Sequence, residues 1–238
     1  VTGVQTCALP ILMIQGIWET IYMTVISTFA GYVIGLPMGI ALTVTDKDGI
    51  RPNAAVYKVL DVISNLVRSI PFIILLVILI PFTRLVAGQS YGSKATIVPL
   101  VIAAAPYIAR MVESSLKEVD PGVIEAARSM GASDVTIIVK VMLVEARTSL
   151  IVGATIALGT ILGYSAMSGT VGGGGLGAIA IRYGYTRWQT DILVVSVILL
   201  MILFQIFQTI GMKLADKSDR IRQQERQVLD NDLAYGRI

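Results

Sequence analysis

Residues 125–131, Glu-Ala-Ala-Arg-Ser-Met-Gly, place a carboxylate, a guanidinium and a thioether within one short polar stretch of an otherwise apolar chain. The chemistry open to such groups is narrow here. The sequence contains no histidine and a single cysteine, Cys7. That excludes a His-based metal centre, a Ser-His-Asp triad, a histidine proton relay and an internal disulfide. No carboxylate pair or metal-ligand spacing stands out, so no catalytic residue and no metal ligand is assigned. A second group, Tyr164, Ser165, Met167 and Ser168, sits among glycines. Met167 could act as a deformable apolar gate, or simply fill space. The serine hydroxyls could face a path, or bond to carbonyls one turn back. A third stretch, Thr-Val-Gly-Gly-Gly-Gly-Leu-Gly at 170–177, lacks the following Lys-Ser/Thr and the preceding strand of a phosphate loop. It reads as a flexible or tightly bent turn.

The elements that must carry these groups are membrane helices. Of the 238 residues 55% are hydrophobic and 15% charged, and mean hydropathy is +0.76, outside the range of soluble domains. Five apolar stretches, near 18–45, 58–82, 95–112, 148–167 and 191–212, are long enough to span a bilayer when internal Pro and Gly are tolerated. The second contains Asp61 and Arg68, the one plausible intramembrane ion pair, and an Arg there must face the bundle or lie near the interface. Fifteen Lys and Arg fall in the segments 46–68 and 110–147 and the C-terminal tail, against four (Arg84, Lys94, Arg182 and Arg187) on the other side. Positive charge collects in the cytoplasm, which predicts an external N-terminus and a cytoplasmic C-terminus. Arg182, Tyr183, Tyr185 and Trp188 then become anchors at the outer interface. Gly153, Gly159 and Gly163, like the small residues of 30–39, are expected to let helices approach closely. No basic stripe interleaved with aromatics suggests nucleic-acid binding.

Residues 113–147 make a connection too long to be structureless. Asp120 followed by Pro121 is a helix start, and Gly131 suits a left-handed stop. Ser133 can cap a second helix, whose residues Val135, Ile138, Val139, Met142 and Leu143 form one apolar face for docking on the bundle. On these residues alone, the short helix could be a knob for another protein's groove or a solvated connector.

The spacing Glu125-Ala126-Ala127, three residues, Gly131, nine residues, then Val141 to Val144 resembles the EAA loop of binding-protein-dependent ABC importer permeases. Val141 stands where Ile is usual and Val144 where Pro is common. The segments 18–28, 35–39, 45–53, 69–85 and 163–185 resemble, in order, the permeases of methionine importers, and the likeness runs over roughly 12–222. It implies an all-α, five-span type I importer permease core over 12–215, with a coupling helix carried by Glu125, Ala126, Ala127, Arg128, Met130 and Gly131. It also implies a homodimer, two ATP-binding subunits that carry ATP and Mg, and an extracytoplasmic methionine-binding protein, with no cofactor on this chain. The cargo it implies is L- and D-methionine. A permease for another amino acid or small solute is the alternative within the class; a channel or secondary transporter is the alternative outside it. Residues 1–11 read as a non-native or disordered leader and 216–238 as a polar cytoplasmic tail.

Overall fold

A computed structural model describes the backbone of residues 3–234 and the side chains of residues 10–220. Helix α1 (Gly3–Thr45) lies along α5 (Ser93–Lys117). The contact is built on glycine. A Cβ at Gly31 would strike Ala104, one at Gly35 would lie 2.6 Å from the Ala105 carbonyl, and one at Gly39 2.6 Å from the Ala109 carbonyl. Lipid is as apolar as Leu, so membrane helices gain by close van der Waals approach rather than by escape from it, and Ile108 and Val112 are fully buried against this stripe. Contact positions rise together on both helices, so α1 and α5 run parallel and the chain must return between them.

It returns through three pieces: α2 (Ala54–Ser69), α3 (Phe72–Ile78) and α4 (Ile80–Ala87). The sequence suggested one span over 58–82. Instead α2 and α3 are bent by 102°. Pro71 has no N–H and pushes the residue before it out of the helical region; Ile70 is accordingly extended, at φ −81° and ψ 124°. The other four spans are continuous helices, and this one is broken. Asn53 caps α2 by accepting from the Val56 N–H at 3.2 Å.

The connection after α5 is structured. Helix α6 (Pro121–Ser129) is followed by α7 (134–145), whose central turns, Ile137–Met142, are π-helical. Helix α8 (Arg147–Ser168) then runs antiparallel to α5, with Ser149 bonded to Ser115 at 3.0 Å and Thr160 to Tyr107 at 3.4 Å. After a tight glycine turn, α9 (Gly175–Ile179) continues into a π-helical segment, Ala180–Tyr185, and α10 (Thr190–Ala234) closes the bundle. A Cβ at Gly159 would meet Phe204 of α10 at 2.7 Å, whereas one at Gly163 meets nothing within 4 Å. Gly159 therefore permits a close crossing and Gly163 does not; Gly153 makes only ordinary contact, with Met111.

The loops divide between two ends of the bundle. One end gathers Asp46 with Lys117, Arg51 with Asp134, and Arg147 donating to the Ser218 carbonyl. The other joins Gly92 to Gly172 and Glu19 to Gly175. Most of the larger basic set lies at the first end. Arg68 does not: it sits with Ala103, Tyr107 and Tyr164, near the middle of α5. The leader proposed for 1–11 falls partly outside the described residues; from Gly3 onward its backbone continues α1. The tail likewise continues α10 as helix to Ala234.

Candidate functional site

The short polar helix is specified locally. The Asp120 carboxylate accepts from the Gly122 N–H at 2.7 Å with Pro121 opening the helix, which satisfies donors that a helix start otherwise leaves unpaired. Gly131 sits at φ +81°, the left-handed conformation that ends a helix at low cost only for glycine and, less readily, Asn. Its N–H donates to the Arg128 carbonyl at 2.9 Å, and the Ala132 N–H donates to Ala127 at 3.1 Å. Ser133 then caps α7 through the Thr136 N–H at 3.3 Å.

On α6 the side chains divide cleanly. Ala127 is buried, while Glu125, Ala126, Arg128 and Met130 are exposed, Met130 at 82%. Arg128 also donates to the Ile50 carbonyl at 3.1 Å, tying α6 to the loop that leaves α1. The face of α7 differs from the 3.6-residue expectation. Ile137 and Met142 are buried, Ile138 and Leu143 pack beside them, and Val135 and Val139 point outward. The buried positions are five apart because the π turn widens the helix to an i, i+5 repeat. What results is a rigid, capped corner that docks through α7 and presents small and apolar groups on α6.

The second group of residues separates in space. Tyr164 stacks on Phe72, ring centroids 4.6 Å apart and planes within 7°, and the two help line a cavity of about 160 Å³ with Arg68 and Tyr107. Met167 is 47% exposed. Ser165 and Ser168 are buried, and their hydroxyls donate to the carbonyls of Leu162 at 2.7 Å and Ser165 at 2.6 Å. Of these four residues, Tyr164 and Met167 keep exposed surface and the two serines do not.

The glycine run is not a slack loop. Side chains of α1 cap the start of α9: Glu19 accepts from the Gly175 N–H at 2.8 Å and Thr20 from the Leu176 N–H at 2.9 Å. Gly175 is held at φ +80°, and a Cβ at Gly177 would collide with the backbone of Ala166. Nothing in the local sequence of the run signalled this; the available sign was Glu19 itself, a carboxylate in an apolar span that needs a partner. Glu19→Ala leaves the Gly175 donor unpaired. We expect it to cost about 1.5–3 kcal/mol, the scale of a hydrogen bond to a charged group, read as a lowered thermal midpoint of the detergent-solubilised protein.

Sequence spacing also missed the main polar cluster. Asp61 pairs not with Arg68 but with Arg110, 49 residues away. Arg110 also holds Glu113 at 2.7 Å, and Lys117 bridges Glu113 at 2.8 Å and Asp46 at 2.7 Å. Tyr57 donates to Glu113 at 3.4 Å. The hydrogen bond from Lys117 holds the Asp46 carboxyl below the usual carboxylate range.

Parallel and antiparallel membrane helices around a broken span, with a capped and exposed polar corner at the more basic end, define a multi-span membrane protein with a structured loop. The chain belongs to the family of binding-protein-dependent transport system inner membrane components, whose model matches residues 31–219. It is 45% identical over 208 residues to a probable D-methionine transport system permease protein MetI of Vibrio cholerae, covering 87% of this chain and 92% of that one. To the D-methionine transport system permease protein MetI of Escherichia coli K12 it is 54% identical over 158 residues, 66% of this chain and 73% of that one. Among solved structures it resembles a chain of the inward-facing MetNI methionine ABC transporter, with a TM-score of 0.87 at 46% identity over 92% of this chain and 99% of the other. An amino acid ABC transporter chain shares the fold at 19% identity and a TM-score of 0.73. The fold is thus the type I importer permease core.

Proposed function

We propose that this chain is the membrane-spanning subunit of an ATP-driven importer that moves methionine into the cytoplasm. The observation that carries the reading is the α6–Gly131–α7 corner: a helix exposing Glu125, Ala126, Arg128 and Met130, fixed by caps to a second helix seated on the bundle. Similarity to methionine permeases over nearly the full chain supports the cargo. In this reading two copies pair in the membrane, and each α6 enters a groove on one of two ATP-binding subunits. ATP and Mg reside on those subunits, so hydrolysis is theirs and this chain does no covalent chemistry. A methionine-binding protein docks at the end bearing Glu19 and the glycine turn. The more basic end, with α6 and the C-terminal tail, is cytoplasmic, and the N-terminus is external, as the positive-inside rule requires.

Nucleotide closes the ATP-binding subunits and displaces α6. The displacement passes as a rigid movement through α7 into α8, because Ile137 and Met142 lock α7 to the core. Alternating access follows when nucleotide and docked binding protein bias one two-state element. Tyr164 and Met167 face the path, and L- and D-methionine both have the flexible thioether that a Met and aromatic lining accommodates.

The reading is tested in a methionine-auxotrophic bacterium lacking its own methionine permease. Growth on limiting methionine is expected only when this chain, its ATP-binding subunit and its binding protein are expressed together. Growth with this chain alone would mean a channel or secondary transporter, and failure of the full set on methionine with success on another amino acid would reassign the cargo.

A further inference from the structure

Helix α2 is held in an unusual way. Of its sixteen residues only Ser64 is fully buried, and Val56, Val59, Val62, Ile63 and Leu66 are all exposed. It has little apolar core to seat it against α1 and α5. Its polar ties are specific instead: Asp61 to Arg110, and Tyr57 to Glu113. Those two partners belong to an alternating ladder, Asp61–Arg110–Glu113–Lys117–Asp46, that crosses from α2 over α5 to the end of α1. Glu113, the centre of the ladder, is buried at 5% exposure and accepts from three side chains on two helices. Removing Glu113 would be costly because it leaves both Arg110 and Lys117 short of compensation, whereas neutralising the partly exposed Asp61 leaves Arg110 paired with Glu113.

The ladder ends at Asp46, and residues 46–53 lead straight from there to the cap of α2. That same loop is gripped by the coupling corner at two points: Arg128 of α6 on the Ile50 carbonyl at 3.1 Å, and Asp134 of α7 on Arg51 at 2.8 Å. Building on the importer reading above, we infer that residues 46–53 and the Asp61-to-Asp46 ladder form a second transmission arm, by which movement of the coupling helix repositions α2, the broken span. The arm leaves the corner through residues 46–53, whereas the other route runs through α7 into α8, and the two share Asp134 at the start of α7. Asp61, Arg110, Glu113 and Lys117 are positioning residues in it, acting on transport through the place of α2.

The test uses the assembled transporter with a spin label at Val62→Cys, on the exposed face of α2, in a Cys7→Ser background. Wild type is expected to change its label-to-label distance between copies when ATP binds. Asp61→Asn, a nearly isosteric change at a partly exposed carboxylate, is expected to lose most of that change and to lower methionine moved per ATP hydrolysed by about fivefold or more, the lower end of typical coupling. Thermal midpoint and ATP hydrolysis should stay near wild type. Arg51→Asp is expected to act in the same direction, and Arg51→Asp with Asp134→Arg to restore coupling, both at an unchanged thermal midpoint, because so exposed a pair adds little to stability. An ATP-independent distance in wild type, or unchanged ATP response and unchanged transport per ATP in both single variants, would overturn the inference. Because the distance does not depend on cargo, absent methionine uptake with a normal ATP-driven shift would refute the cargo and leave the arm standing.

Discussion

Gly131→Val is expected to lower ATP-driven methionine uptake about tenfold in the assembled transporter, while Gly131→Asn keeps most of it. The residue holds φ +81°, and no atom lies within 4 Å of where its Cβ would be. Crowding therefore plays no part, and the penalty lies wholly in the backbone. A β-branched side chain in the left-handed region costs roughly 1–2 kcal/mol or more, whereas Asn visits it readily. Valine relieves the strain by opening the corner, which releases the Ala132-to-Ala127 bond and misaims α6 relative to α7. A loss of about 1.4 kcal/mol in the coupling step is already tenfold in rate. Uptake and ATP hydrolysis measured side by side check the claim: the valine variant should hydrolyse ATP without moving cargo in proportion.

Gly35→Val is expected to prevent stable packing of the bundle. The new Cβ would lie 2.6 Å from the Ala105 carbonyl, on a helix backbone that cannot step aside, and 2.9 Å from the side chain of Ile108, which is fully buried. Overpacking of this kind costs about 1–3 kcal/mol where a core can adjust, and here the whole α1–α5 contact must open. The contrast is Gly163→Ala, where the space is free and the thermal midpoint should hold or rise slightly. Size-exclusion profiles of heated, detergent-solubilised protein separate the two.

These two glycines show why the sequence was readable in some places and silent in others. The α6 corner could be read because its determinants are neighbours: Asp120 and Pro121 start the helix, Gly131 stops it, and Ser133 starts the next. Four spans could be read because length and hydropathy suffice. The break at Ile70–Pro71 was hidden because a proline in a membrane span signals a kink or a full bend alike, and only packing decides which. The partner of Asp61 was hidden because Arg68 is near in sequence and Arg110 is near in space. The face of α7 was misassigned because a π turn changes the repeat without changing composition. Glycine has the same ambiguity: Gly159 and Gly163 are four residues apart on one helix, yet only the first meets a neighbour.

The most direct test of the whole account is accumulation of labelled methionine in proteoliposomes holding this chain, its ATP-binding subunit and its binding protein. Uptake above the external concentration is expected with ATP on the α6 side, stopping when either ATP or the ATP-binding subunit is left out. Equal uptake by vesicles that lack the ATP-binding subunit would contradict it.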